Sequence, residues 1–268
     1  MSLWVGLGCA LVAGLAGGLT PVLLRRLPEP EQEPDPDPDP DGDGTDADEP
    51  PRRPRKPIPD FSLWGLHSIE REKEPYRDMA AVPGLALGCA IASALVAGLL
   101  GWKYGWHPVL AVVIPPVPVC VAIAVIDWRT RYIPTRLVLP ATAYVLLAGV
   151  VLWLTLGART ELVRGLVGLV VVRSLFWVMW RIYAGGMGFG DVRLGALLGF
   201  VLGFLGPGEL FFGVWSGFLV FSLPGSLVAL ARWNYQLMRV GFPFGPFMLI
   251  GGLLGIFLGQ PAVDAIYG

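Results

Sequence analysis

Two aspartates stand out in a chain that offers few other residues able to do chemistry. Asp127 closes the apolar run VCVAIAVID, and Asp191 follows the glycines of GGMGFGDVRLGALLG, residues 185–199. Sixteen of the 21 acids lie between Glu29 and Asp78, and the other five are Asp127, Glu161, Asp191, Glu209 and Asp264. An ionisable group at the edge of a membrane-length run is expensive and by default suggests function. Two carboxylates brought close in a partly dehydrated site cannot both ionise easily, so the pair shares a proton. One member can then act as base on a water while the other acts as acid toward a carbonyl. That chemistry needs neither a metal nor a nucleophilic side chain.

Other readings of the same residues stay open. Asp is a favoured N-cap, worth about 1 kcal/mol, and Asp191 directly precedes a predicted helix. Asp127 ends a predicted helix, where the macrodipole disfavours negative charge, and Arg129 or Arg131 could pair with it. GGMGFG has the glycines of a phosphate loop but neither the following lysine nor a preceding strand. Glycines here would instead let a substrate's extended backbone approach closely.

The scaffold that must position these residues follows from composition. The 268 residues are 54% hydrophobic and 15% charged, with a mean hydropathy of +0.61. Outside residues 25–80 the sequence is a string of apolar runs of about 18–22 residues, the length that crosses a hydrocarbon core of roughly 30 Å at 1.5 Å per residue. The expectation is an all-α, polytopic membrane helix bundle of about eight transmembrane helices. The spans run roughly Leu3–Leu24, Ala81–Gly101, Pro108–Ile126, Leu137–Gly157, Leu162–Ile182, Val192–Leu205, Leu210–Leu230 and Gly245–Ile266. Residues 1–24 form a first membrane helix, 25–80 a cytoplasmic Pro/Asp-rich loop that is largely disordered, and 81–268 a seven-helix core. PEPEQEPDPDPDPDGDGTDADEPP, residues 28–51, is too polar and too densely charged to pack.

Lys and Arg set the orientation. The 25–80 loop carries nine, including the cluster PRRPRK at 51–56; Arg129, Arg131, Arg136, Arg181, Arg193, Arg232 and Arg239 fall in the loops that share its side. The alternate connections hold only Lys103 and Arg159, so the first group is placed in the cytoplasm and the N-terminus outside. No basic region precedes the first span, which predicts a retained helix in place of a cleaved signal. Cys9, Cys89 and Cys120 lie far apart inside apolar runs and suggest packing, not metal ligation.

With both aspartates on one predicted face, the sequence resembles the type IV prepilin peptidase family of GxGD membrane aspartyl proteases. IDWRTRYIPTRLVLP (126–140) resembles the family's first motif, GMGFGDVRLGALLGFVLG (186–203) its second, and FPFGPFM (242–248) a segment opening its last helix. LLRRLPEP (23–30) is similar to the end of the family's first helix. The motifs occur in family order over most of the chain, excepting residues 31–80. The resemblance implies an endopeptidase that cuts the basic leader from prepilin or pseudopilin-like precursors at the cytoplasmic face of a bacterial plasma membrane, just before the precursor's hydrophobic helix. Asp127 and Asp191 would be its catalytic pair. Gly188, Gly190, Pro134, Pro243, Gly245 and Pro246 would support the motifs or line the substrate path. Partners are then the precursor helix and the lipid bilayer, with no nucleic acid.

The chain departs from long family members at one point. Those carry paired CxxC motifs in the first cytoplasmic loop, bind zinc, and methylate the new N-terminus with S-adenosylmethionine. Residues 25–80 contain no cysteine, and tetrahedral zinc needs ligands this loop does not supply. The expectation is a peptidase without metal, cofactor or N-methyltransferase activity. Two alternatives are a related GxGD protease with another filament-precursor substrate and a proton-coupled membrane transporter using the same two acids as a relay. The transporter predicts inverted repeats and deep polar residues, and the sequence shows neither.

Overall fold

A computed structural model describes residues 2–29, 75–182, 187–231 and 243–267. The acidic tract at 30–51, the basic cluster at 51–56, His67, Gly185, Gly186, Arg232 and Arg239 fall outside those residues.

Among the described residues every regular element is helical. The helices are α1 (Ser2–Gly18), α2 (Thr20–Arg26), α3 (Tyr76–Ala81), α4 (Leu85–Tyr104), α5 (Leu110–Val113), α6 (Pro116–Thr130), α7 (Thr135–Leu156), α8 (Arg159–Ile182), α9 (Phe189–Leu205), α10 (Pro207–Ala231) and α11 (Gly245–Tyr267). Six stretches are long and apolar enough to cross a membrane: Ser2–Arg26, Leu85–Tyr104, Leu110–Thr130, Thr135–Leu156, Arg159–Ile182 and Gly245–Ala265. The other two expected spans coincide with α9 and α10. The fold is thus the expected polytopic helix bundle.

Boundaries moved where local chemistry outweighed hydropathy. The third expected span, Pro108–Ile126, is two pieces, because the Pro115–Pro116 pair lacks the N–H groups that would continue α5 and favours the start of a new helix. Helix α6 then runs past Ile126 to Thr130, so Asp127 lies inside its last turn and not beyond its end. Arg131 stops it in the left-handed region at φ 53°, with its N–H bonded to the Asp127 carbonyl at 2.8 Å. The ends of the 25–80 segment are ordered. Glu29 accepts hydrogen bonds from the backbone N–H groups of Tyr76 (2.7 Å) and Arg77 (3.3 Å), supplying an acceptor to the start of α3.

Small residues bring the helices together in three tight pairs. Helices in lipid gain little from hydrophobic exclusion and associate through close packing, which small side chains permit. In the α1–α4 pair Gly17 packs against the Cys89 carbonyl, where an added Cβ would sit 2.6 Å away. In α8–α9 a Cβ on Gly199 would lie 2.5 Å from the Gly168 carbonyl oxygen, and in α10–α11 Gly213 and Gly217 face Gly255 and Gly251. Outward-facing Leu87, Leu95, Leu147, Leu154 and Val170 are exposed, as a lipid-contacting surface requires.

Helix α9 is the centre of the assembly. It touches α7, α8, α10 and α11 and is buried along most of its length, from Asp191 to Phe204. A helix apolar on every side has no polar face to present and is suited to this interior place. Its N-terminus carries the glycine–aspartate motif, so enclosing α9 also encloses Asp191.

Candidate active site

The first carboxylate is built by the α6 terminus and the start of α11. Asp127 is 4% exposed, and its Oδ2 accepts the Gly245 backbone N–H at 2.8 Å. Gly245 must be glycine for this approach: a Cβ there would stand 2.7 Å from the same Oδ2. Aromatic packing fixes the segment. Phe244 lies against Phe176, Phe218 and Phe221 with centroid distances of 5.8, 5.4 and 4.9 Å, and Phe247 meets Trp128 at 6.3 Å. The Pro-Phe-Gly-Pro-Phe residues thus serve to present one N–H to Asp127. Arg131 lies within electrostatic range of the carboxylate, but the hydrogen bond that orients it comes from Gly245.

The second carboxylate is oriented within its own helix. Gly188 is the N-cap of α9, with extended backbone, and Asp191 is the third helical residue. The Asp191 Oδ2 reaches back to accept the Gly188 N–H at 3.2 Å, while its own N–H donates to the Gly188 carbonyl at 3.1 Å. This is the N3 half of a capping box, so the expected N-cap role belongs to Gly188. Phe189 holds the turn, packed edge-on against Trp180 at 5.1 Å and covered by the Arg193 guanidinium at 4.8 Å. Arg193 also donates to the Thr135 hydroxyl, tying α9 to the start of α7.

Ile133 is the wedge between the two halves. A Cβ on Gly190 would come within 2.7 Å of the Ile133 Cβ, and one on Gly245 within 3.3 Å of its Cδ1. Gly190 therefore accommodates the chain's own loop, which corrects the expectation that the motif glycines chiefly clear room for a peptide substrate. Gly188, exposed and with only ordinary contacts around its Cα, does stand open. Pro134 is the N-cap of α7, its carbonyl accepting the N–H groups of Leu137 and Val138. Pro243 is buried beside the site, and Pro246 lines an apolar groove leading away from it.

Asp191 is 7% exposed and lies within electrostatic reach of Asp127. Two buried carboxyls at such range resist simultaneous ionisation. The pair has two oriented acid groups, one able to accept a proton and one able to donate. The structure brings Asp127, Asp191, Gly188, Gly190, Gly245 and Pro134 into one locus.

Sequence reasoning missed the Gly245–Asp127 bond and the Ile133 wedge. A glycine between two aromatics at a helix start was the available signal for the first; a lone isoleucine carries none. Glu209 is a third buried acid, with an Oε2 that has no hydrogen-bond partner among the described residues. It lies in the first turn of α10, past the far end of α9, whose stretch from Asp191 to Leu205 spans about 20 Å at 1.5 Å per residue, and does not join the pair. Among the described residues no three His, Cys, Asp or Glu side chains gather in a group suited to a metal ion.

A bundle of apolar helices that buries a pair of carboxylates near one end defines a membrane-embedded diacid protein. The chain belongs to the type IV leader peptidase family, whose model matches residues 116–260. The prepilin leader peptidase/N-methyltransferase of Pseudomonas putida is 31% identical to it over 204 residues, covering 69% of this chain and 60% of that protein. The protein of the same name from Burkholderia pseudomallei (strain 1026b) is 31% identical over 147 residues, covering 52% and 44%. The one from Xanthomonas campestris pv. campestris is 30% identical over 175 residues, covering 63% and 56%. The chain thus aligns with 60% or less of the length of these relatives. No solved structure matches it.

Proposed function

We propose that this protein is a membrane aspartyl endopeptidase that removes the basic leader from pilin-like precursors at the cytoplasmic membrane face. The observation that carries the reading is the pairing of Asp127 and Asp191, buried and within electrostatic reach although 64 residues apart in sequence. The ionised member takes a proton from water as the water attacks the scissile carbonyl carbon. The protonated member gives its proton to the carbonyl oxygen. Collapse of the resulting gem-diol breaks the C–N bond, with a proton passing to the departing amine. The Gly245 and Gly188 N–H groups hold the carboxyls in register, a positioning effect of the kind that lowers barriers without new chemistry. The Lys and Arg distribution supports a cytoplasmic position for this end of the bundle. A basic leader is the natural complement of an acidic pair there.

The relatives' names include a second activity, N-methyl transfer. We assign this chain the peptidase step alone, because its 25–80 loop lacks the cysteines of the zinc-binding form. Mass spectrometry of a mature pilin N-terminus processed by this protein alone tests that assignment, and a methylated product would overturn it. For the peptidase, Asp127→Asn and Asp191→Asn keep side-chain shape and remove the acid. Each is expected to abolish cleavage of a pilin precursor in membranes while leaving the protein inserted and folded. Normal processing by either variant refutes the diacid mechanism, and proton flux through the wild-type protein in liposomes without cleavage would favour the transporter.

A further inference from the structure

Lys103 sits where the rest of the chain avoids positive charge. It and Arg159 are the two basic residues in the connections on the side of the bundle away from the acid pair. An ammonium at the end of a membrane span ordinarily extends its flexible stem toward water. Lys103, in the last turn of α4, turns inward. Its Nζ donates to the Ile256 carbonyl of α11, and it lies 5.3 Å from the centre of the Phe257 ring and 5.4 Å from that of Tyr104. A head group that gives up water needs compensation, and one carbonyl and two ring faces supply part of it.

Glu209 is placed to supply the rest. It is 7% exposed, and its Oε2 has no hydrogen-bond partner among the described residues. An acid in the first turn of a helix suits the macrodipole, but that role is served as well at the surface and gives no reason for burial. The packing of α10 on α11 brings Glu209 to the stretch that holds Lys103. A Cβ on Gly255 would stand 2.6 Å from the Glu209 carbonyl oxygen, and one on Gly259 would stand 2.6 Å from its Cα. Ile256, the acceptor for Lys103, lies between those two glycines. The ammonium and the carboxyl are within electrostatic reach of each other. Tyr104 Oη, buried and also without a hydrogen-bond partner among the described residues, is within reach of the same carboxyl. In so dry a setting the attraction is screened far less than in water.

The two charges belong to different parts of the chain. Helices α1 and α4 form a hairpin packed on itself through small residues, with Gly17 against Cys89 and Gly101 against Cys9. That hairpin meets the rest of the bundle along α5 and α6. We infer that Lys103 and Glu209 are a charge latch that docks the α1–α4 hairpin onto α10 and α11, at the end of the bundle opposite the acid pair. Each is retained in apolar surroundings for the other. Holding the hairpin also holds its other end, where the chain leaves at Glu29 and returns at Tyr76. The inference goes beyond the leader-peptidase reading and stands or falls without it, because its test does not use cleavage.

A double-mutant cycle on the full chain in detergent tests the latch. Glu209→Gln and Lys103→Met each leave the other charge without its partner, and the double variant removes both. Breaking a buried pair is strongly destabilising, whereas replacing both members is close to neutral. Each single variant should lower the melting temperature by about 6–20 °C. Glu209→Gln should then raise the melting temperature when it is added to Lys103→Met. If it lowers stability equally in both backgrounds, or has no effect in the wild type, the inference is overturned, leaving Glu209 as a helix-start acid and Lys103 as a donor to one carbonyl. Should Lys103→Met fail to accumulate in the membrane, the amount of inserted protein becomes the readout, and a double variant that does not restore it counts against the latch. Hydrogen exchange in lipid nanodiscs reads the docking itself. Each single variant should speed exchange in the last turn of α4, Leu100–Tyr104, by at least about tenfold while α9 keeps its protection. Exchange quickened evenly through the bundle would mean general destabilisation and would refute a local latch.

Discussion

Replacing Gly245 with alanine probes the acid pair without touching either acid. The added Cβ would stand 2.7 Å from the Asp127 Oδ2 and 3.2 Å from its Cγ, with Ile133 closing the other side at 3.3 Å. Ordinary contact begins near 3.4 Å, so the carboxylate must retreat by about 0.7 Å. That retreat breaks the 2.8 Å hydrogen bond from the Gly245 N–H. A hydrogen bond to a charged group is worth about 1.5–3 kcal/mol, and each 1.36 kcal/mol is tenfold in rate. Displacements near 1 Å in a catalytic group cost about a hundredfold by themselves. The expected outcome is a 10- to 100-fold fall in kcat for precursor cleavage, followed by gel shift in proteoliposomes. Thermal unfolding in detergent should stay close to that of the wild type, since the conflict is local. A variant that cleaves at the wild-type rate refutes the argument that this N–H positions Asp127 during turnover.

Other outcomes follow from the same geometry. Because the proposed chemistry needs one carboxyl protonated and one ionised, kcat/KM should be bell-shaped in pH, falling on the acid side as both protonate and on the alkaline side as both ionise; a single sigmoid would contradict it. Arg193→Ala removes the bond to Thr135 and the cover over Phe189, and should lower cleavage about 5- to 30-fold, on the scale of ~1–2 kcal/mol for such contacts, with KM little changed. Gly199→Leu places a side chain where only the Gly168 backbone fits. Overpacking costs about 1–3 kcal/mol, read as a lowered melting temperature in detergent. Glu29→Ala removes the acceptor for the Tyr76 and Arg77 N–H groups and should speed hydrogen exchange at Tyr76–Ala81 while leaving α4 protected.

Composition and residue chemistry carried much of the reading. Runs of about twenty apolar residues admit only helices in lipid, since each backbone polar group must be satisfied inside its own segment. The helical membrane class therefore follows without tertiary information. Asp127 and Asp191 were legible as candidates because they interrupt apolar runs, where a charge needs a reason. Pro134 was legible as a motif residue, and its fixed φ suits the place it takes at the start of α7. The helix ends were less legible: hydropathy stopped the third span at Ile126, whereas backbone bonding carries α6 through Asp127 to Thr130.

What the amino-acid order determined, then, is that this chain spans a membrane as a bundle of helices and places two acids at their ends. Local periodicity and hydropathy suffice for that because each helix satisfies its own backbone. What only the tertiary structure decided is the use of those ends. Gly245, 118 residues from Asp127, turns out to be its hydrogen-bond donor; Gly190 makes room for Ile133; and α9, one apolar run among several by hydropathy, becomes the buried centre that encloses Asp191. These are contacts between surfaces of separate helices. Packing distance and shape set them, and no single stretch of residues contains that information.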